Sequence, residues 1–401
     1  MLGISERSKY SINPIEETNS AVKLLELSGK KITKLNIGDP AKYFRTPQYI
    51  IDAYISALKD GKTSYTTAGG LYPLREAVAA EYKESGANAD DVIITSGVSE
   101  GLMFLNSIVI NEGDSAMVMR PYYSMYNSFL QTMGGIPVDM NLDEQNGWKL
   151  DIEGASKAAH SSKRLKYMII ANPNNPTGTV FGRNDLSELV DIANDNDIVI
   201  VSDEIYDHLV FKGQKFTSLA DVAKGTPHII LNGASKALAA TGFRIGYALI
   251  PEHDKASDAI REKFIEYSTM RLSANTPAQY AVLSGLTERS ERERFVKHMV
   301  KEVEDRCDYA SKLINESKYM KVVPPKGAFY LFPKVDFKSL SIKDDKELVD
   351  LLLKRELILL SRGSGFGAAS HIRIVGLPEK EILGDAISRI DAFLGKNRRA
   401  R

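Results

Sequence analysis

Tyr167-Met168-Ile169-Ile170-Ala171-Asn172-Pro173-Asn174-Asn175-Pro176-Thr177-Gly178 is the stretch that decides the fold. Its first five residues are apolar almost without interruption, as a strand buried on both faces requires. Its last seven are dominated by Asn, Pro and Gly and have to turn. A strand of that kind needs helices on both sides of its sheet. A dense polar turn at the carboxyl end of such a strand is where doubly wound sheets bind ligands; a turn with no ligand is the plain alternative.

The same alternation continues to either side. Short apolar runs stand at Val92–Thr95 and at residues 116–119, 136–140, 198–202, 228–231 and 245–250, with helix-like segments between most of them. Seven strands of this type predict an α/β domain built on a doubly wound, mainly parallel sheet. From Pro277 the pattern changes: Phe295, Met299, Val303, Cys307, Ala310 and Ile314 recur at helical spacing. A shorter set of strands and helices follows from Val322. The N-terminal stretch has a helix-like segment at 15–28 and an apolar run at 32–37 that ends in Gly38-Asp39-Pro40. The expected organisation is a large domain of residues 46–285 and a smaller α+β domain from residues 1–45 and 286–401.

Composition narrows the function. A chain of 401 residues, 43% hydrophobic and 26% charged, is globular and long enough for two or three folded units. Its formal net charge of zero argues against a nucleic-acid partner. The basic tail at 396–401 reads as a solvated helix end. Cys307 is the only cysteine, so there is no internal disulfide and a reducing compartment is expected. The six histidines are scattered without metal-ligand spacing, so no metal site is expected. The N-terminus lacks an apolar signal core and no run is long enough to span a bilayer. A cytoplasmic protein with small-molecule substrates and no membrane partner is expected.

Three further strand ends carry candidate chemistry. Ser96-Gly97-Val98-Ser99-Glu100-Gly101 runs from strand into helix and offers free backbone N–H groups, a hydroxyl and a helix dipole to a phosphate; an N-cap role for Ser99 is the structural alternative. Ser202-Asp203-Glu204-Ile205-Tyr206 places an acid where burial demands a cationic partner, either a protonated ring nitrogen or an arginine. Asn232-Gly233-Ala234-Ser235-Lys236, followed by Thr241-Gly242-Phe243-Arg244-Ile245-Gly246, puts a lysine among small residues directly after a buried strand.

Together, and in this order, these runs resemble the fold-type I, pyridoxal-phosphate-dependent aminotransferases of classes I and II, nearest to their alanine and aspartate aminotransferase-like branch. The resemblance extends over nearly the whole chain. It implies that Lys236 carries the aldehyde of pyridoxal 5'-phosphate as a Schiff base and later shuttles the substrate's α-proton. It implies that Asp203 pairs with the cofactor's ring nitrogen, that Asn175 and Tyr206 hydrogen-bond its ring oxygen, and that Tyr123 stacks on the ring, with Tyr122 as the one-residue alternative. Val98, Ser99, Ser235 and Arg244 would hold the phosphate, and Arg373 would clamp the substrate carboxylate beside the Gly38 backbone. Tyr65 would reach the phosphate of a partner subunit, which implies a homodimer with shared active sites, with Asn275 and Thr276 near the interface. One departure is Gly233, where many relatives carry a hydroxyl residue; Asn232-Gly233 resembles the alanine branch, as do the 275–279 and 327–330 runs.

The expected activity is transfer of an amino group from an L-amino acid to a 2-oxo acid, with 2-oxoglutarate as acceptor, in ping-pong order. Alanine is the favoured donor, ahead of aspartate and aromatic amino acids. Arg271 is the candidate cation for a dicarboxylate side chain, with a structural salt bridge as its favoured alternative role. C–S lyases of the same fold share the lysine constellation. A serine hydrolase is the remote alternative: Gly97-Val98-Ser99-Glu100-Gly101 has the nucleophile-elbow pattern, and Asp203 and His371 follow in order. The Gly363-Ser364-Gly365-Phe366-Gly367 run is either an ordinary turn or part of the substrate pocket.

Overall fold

A computed structural model describes residues 3–11, 19–251 and 254–399. Its main sheet has eight strands: β1 Val92–Thr95, β2 Ser115–Arg120, β3 Ile136–Asp143, β4 Lys149–Leu150, β5 Leu165–Ala171, β6 Val199–Asp203, β7 His228–Gly233 and β8 Gly246–Leu249. Their order across the sheet is β1-β8-β7-β6-β5-β2-β3-β4. Seven of them are the strands expected from sequence. The eighth, β4, is a two-residue antiparallel addition to the end of β3, too short to leave an apolar pattern. The run from β7 to β3 is parallel, and β8 is antiparallel to both of its neighbours.

The apolar run of β5 behaves as a strand covered on both faces must. Met168 and Ile170 pack with Met117, Met119 and Ile200 in one core, while Tyr167, Ile169 and Ala171 pack with Ala116, Val118 and Val201 in another. Alternate side chains therefore feed two separate cores, which is why no polar residue interrupts the run from Tyr167 to Ala171.

A further core lies in the C-terminal part of the chain. Met299, Val303, Cys307, Ala310 and Ile314 of the helix Arg289–Glu316 pack with Leu383, Ile387, Ile390 and Leu394 of the helix Lys380–Lys396. Burial pushes the Cys307 thiol well above its ordinary range, so its role is packing. The same core takes in the three-stranded sheet of Tyr330–Leu331, Ile372–Val375 and Ser361–Arg362. The N-terminal stretch joins it through Leu35, and Thr33–Lys34 pairs in parallel with Ile358–Leu359. The helix expected at 15–28 is described from Asn19–Leu27; residues 12–18 lie outside the described residues. The basic tail is tied down, with Arg399 donating its backbone N–H to the Ser339 carbonyl at 2.9 Å; residues 400 and 401 lie outside the described residues. Among the described residues, no helix is long and apolar enough to cross a membrane.

Sheet register gathers the loops that matter. Ala171 pairs with Asp203, and Asp203 with Leu231, so the loops after β5, β6 and β7 leave one edge together. The reversed direction of β8 brings residues 241–245 to that same edge, because Gly246 pairs with both Gly233 and Thr95. Three backbones crowd there. A Cβ on Gly233 would lie 2.6 Å from the Gly246 α-carbon, and one on Gly246 would lie 2.8 Å from the Gly97 backbone. In this chain a side chain at Gly233 would push the lysine loop off β8.

Candidate active site

A cavity of about 330 Å³ opens at this edge. Gly38, Val98, Ser99, Tyr123, Asn175, Asp203, Tyr206, Ser235, Lys236, Arg244 and Arg373 all line it, which brings together the residues expected to hold the cofactor and the substrate's α-carboxylate, except Tyr65. Tyr65 is 73% exposed and lies outside this cavity, on a groove shared with Thr276, whose hydroxyl donates to the Ser64 carbonyl at 2.8 Å. Tyr123, not Tyr122, faces the cavity; Tyr122 lies against the loop at Gly367.

Each side chain is delivered by local structure. In the turn after β5, Asn172 and Asn174 are used up internally: Asn172 accepts from the Phe181 N–H at 3.0 Å, and Asn174 accepts from the Thr177 hydroxyl at 2.8 Å. Only Asn175 faces the cavity, accepting from Arg373 Nη1 at 3.0 Å. Gly178 closes the turn with φ +69, where a Cβ would strike the Gly327 carbonyl at 2.8 Å.

After β6 the two acids part company. Glu204 turns away, accepting from the Ser218 hydroxyl and the Leu219 N–H, each at 2.8 Å, and burial pushes its carboxyl up to about 8. Asp203 faces the cavity, accepting from the Tyr126 hydroxyl at 2.7 Å and the Ile205 N–H at 3.2 Å. Burial pushes Asp203 up to about 6, against those hydrogen bonds. No arginine salt bridge neutralises it among the described residues, so the salt-bridge alternative is not the arrangement found.

Lys236 donates from Nζ to the Gly38 carbonyl at 2.7 Å. Burial lowers its amine to about 8; the nearby Asp39 opposes that shift, and Arg373 and Arg244 add to it. Asp39 is held there by the Thr241 hydroxyl, which donates to Oδ1 at 2.7 Å.

Among the described residues, neither arginine on the cavity wall has a carboxylate partner. Arg244, at the mouth, donates only to backbone carbonyls, those of Thr241 at 3.0 Å and Ser96 at 3.5 Å. It lies beside the first turn of the helix Val98–Val109, whose N-cap is Gly97 at φ 82 with no side-chain cap. Ser99 is therefore not the N-cap, as the structural alternative had it; it sits inside the first turn. A Cβ on Gly97 would lie 2.6 Å from Arg244 Nη2. Uncapped N–H groups and a bare guanidinium, brought together by a glycine, make a cradle for an anion such as phosphate.

Arg373 is 1% exposed. It donates to Asn175, to the Asn36 carbonyl and to Ser361 Oγ at 3.4 Å, and its Nε is buried without a partner. Tyr330 and Phe366 hold its guanidinium between their rings, at 4.4 Å and 4.5 Å. A buried cation stacked in this way and missing a carboxylate is preorganised for one from a ligand. Phe366 belongs to the glycine-rich 363–367 run, which therefore backs the pocket.

Sequence reading missed Asp39, Tyr126, Thr241 and Tyr330 as cavity residues. Tyr126 follows Tyr123 by one helical turn, a spacing that could have flagged it. Tyr330 stood in a quoted run with no role assigned. Arg271 does not line the cavity: its Nε donates to Glu100 at 2.8 Å and its Nη2 to the Ile94 carbonyl at 2.6 Å, the structural alternative. His371 is engaged elsewhere, with Glu144 at 3.1 Å and stacked on Phe332 at 4.7 Å, so Ser99, Asp203 and His371 form no triad.

Fold and site together define a class. Residues 30–390 match the family model of class I and II aminotransferases, and the chain belongs to that family. It is an aminotransferase of the alanine and aspartate aminotransferase-like branch. It is 35% identical over 382 residues to a glutamate-pyruvate aminotransferase AlaA of Haemophilus influenzae, covering 93% of each chain. It is 32% identical to an aspartate aminotransferase of Bacillus subtilis, covering 94% of each. Among solved structures, an alanine aminotransferase from Pyrococcus furiosus superposes with a TM-score of 0.93 at 35% identity, over 98% of this chain and 100% of that one.

Proposed function

We propose that the cavity holds pyridoxal 5'-phosphate and that the enzyme exchanges an amino group between alanine and 2-oxoglutarate. The observation that carries the reading is the unspent polar chemistry of one cavity: a half-neutral lysine, a buried acid without a cation, an uncapped helix start beside a bare guanidinium, and a buried arginine with a free Nε. Each deficit fits one part of that cofactor or its substrate. When bound, the cofactor supplies an aldehyde and an electron-accepting ring that stabilises negative charge at the substrate's α-carbon.

The chain's own groups do the rest. Lys236 offers an amine basic enough to take the α-proton and neutral enough to be free to do so near pH 8. Arg373 binds the α-carboxylate with a planar fork and so fixes which α-bond faces the ring. Asp203 would hold the ring nitrogen's proton. Tyr206 and Asn175 would donate to the ring oxygen. Val98, Ser99, Ser235 and Arg244 would hold the phosphate, and Tyr123 would pack against the ring.

Arg271 is committed to Glu100, so it is not the cation that a dicarboxylate side chain would meet; alanine is favoured over aspartate on the likeness to the alanine aminotransferases. The glutamate–pyruvate exchange named for the Haemophilus relative is the same reaction in reverse. A cytoplasmic homodimer completes the proposal: exposed Tyr65, Met270 and Leu272 are apolar side chains that a partner would cover, with Tyr65 reaching the partner's phosphate.

Initial rates for alanine, aspartate and aromatic amino acids with 2-oxoglutarate test the substrate. Borohydride treatment followed by peptide mapping tests the cofactor. A visible band lost on reduction, with the label on Lys236 and alanine turned over fastest, is expected. A label elsewhere, or no band, overturns the assignment.

A further inference from the structure

Tyr330 touches three working parts of the cavity at once. Its hydroxyl lies 2.8 Å from the Tyr206 hydroxyl. Its ring covers one face of the Arg373 guanidinium at 4.4 Å. Its hydroxyl also packs on Gly38, where a Cβ would collide with it, and the Gly38 carbonyl receives Lys236. It is 3% exposed and is fixed at one edge of the three-stranded sheet, pairing with Val375 beside Arg373's strand.

We infer that Tyr330 is a positioning residue that aims the Tyr206 proton into the cavity and holds the Arg373 fork flat, coupling the two ends of the site. The inference rests on the cofactor reading above. Two hydroxyls 2.8 Å apart share one proton between them. If Tyr330 donates, Tyr206 has spent a lone pair there and its own proton is free to donate to the cofactor's ring oxygen. If Tyr206 donated to Tyr330 instead, it would present only lone pairs to a negatively charged oxygen, which is the unfavourable arrangement. Among the described residues, no other hydrogen bond engages the Tyr206 hydroxyl. Phe366 also packs against Arg373, at 4.5 Å, so Tyr330 supplies one of two aromatic walls that restrict the guanidinium.

The two roles separate by substitution in the holoenzyme. Tyr330→Phe keeps the ring and removes the hydroxyl. Donation to the ring oxygen weakens, more negative charge stays beside Lys236 Nζ, and the pH midpoint of the visible band moves upward by about half a unit or more. kcat for alanine falls about fivefold, the ratio that one neutral hydrogen bond is worth. KM stays within about twofold because both walls are intact. Tyr330→Leu removes the wall as well and raises KM about tenfold further, the scale of one desolvated cation–π contact. In a Tyr206→Phe background, Tyr330→Phe leaves the midpoint where Tyr206→Phe put it. A band that titrates identically in wild type and Tyr330→Phe overturns the inference. So does a midpoint that still shifts without Tyr206, or a Tyr330→Leu KM equal to that of Tyr330→Phe. A wild type with no reducible band overturns the cofactor reading, and the inference with it.

Discussion

The Tyr126 hydroxyl donates to Asp203 Oδ2 at 2.7 Å, and it is the only side-chain donor to that buried carboxylate among the described hydrogen bonds. Burial drives Asp203 up to about 6, and the tyrosine works against it. Removing the hydroxyl in Tyr126→Phe raises the carboxyl further, so more of it is neutral at pH 6.5 than at pH 8.5. The variant should lose about tenfold in cofactor affinity, the scale of a hydrogen bond to a charged group, and the loss should be larger at the lower pH. Titration of the apoenzyme at both pH values measures it; equal affinities for variant and wild type would remove Asp203 from the cofactor's partners.

Gly97→Ala should damage anion binding before it damages the fold. The backbone there has φ 82, and the added methyl meets Arg244 Nη2 at 2.6 Å. A side chain at φ 82, ψ 169 costs about 1–3 kcal/mol, visible as a lower Tm. Displacing Arg244 should in addition speed cofactor release, followed by gel filtration in phosphate-free buffer. A lower Tm with unchanged release would make Gly97 a fold requirement only.

The amine of Lys236 sets a pH dependence with a definite sign. Burial lowers it to about 8, so its neutral, nucleophilic fraction rises with pH and levels off above that point. The rate of holoenzyme formation from apoenzyme and cofactor should follow the same curve, gaining about tenfold per pH unit well below the midpoint. Asp39 raises the amine's basicity. Asp39→Asn should therefore shift the midpoint down and leave the high-pH plateau alone. Stopped-flow absorbance across pH 6 to 10 (about the workable range) reads wild type and Asp39→Asn; a midpoint that moves up contradicts the electrostatic role.

Arg271→Ala should leave the preference of alanine over aspartate unchanged. The arginine binds Glu100 and the Ile94 carbonyl, and its side chain and that of Glu100 are 17% and 12% exposed. Removing it strands a largely buried carboxylate, at a cost of about 2–3 kcal/mol. Urea unfolding with the ratio of kcat/KM values checks both halves. A changed ratio would return Arg271 to the substrate.

The large sheet could be read from the chain because strands buried on two faces leave an apolar signature; β5 starts two residues before its expected bound and ends on it, and β6 is shifted by one residue. β4 left none, since its two residues owe their conformation to β3 alone. The candidate site was visible where a residue follows a strand: Asn175, Asp203 and Lys236 each announce themselves by polarity after an apolar run. Residues that act across distance did not. Tyr126 matters through Asp203, Thr241 through Asp39, and Tyr330 through Tyr206, pairs 77, 202 and 124 positions apart. Ser99 looked like a cap because serine favours caps, but the close approach of Arg244 required glycine at that position instead.

The lysine loop leaves the main sheet, whose two faces feed their own cores, whereas Ile372 and Ile374, flanking Arg373, are anchored in the C-terminal core. Under the proposed function, the amine and the carboxylate clamp would thus hang on different sets of side chains, with Tyr206 of the C-terminal core reaching from one to the other. Repacking around Ile374 or Leu331 would then disturb the clamp on the carboxylate that every amino acid shares, and with it Tyr206, before it disturbed the lysine.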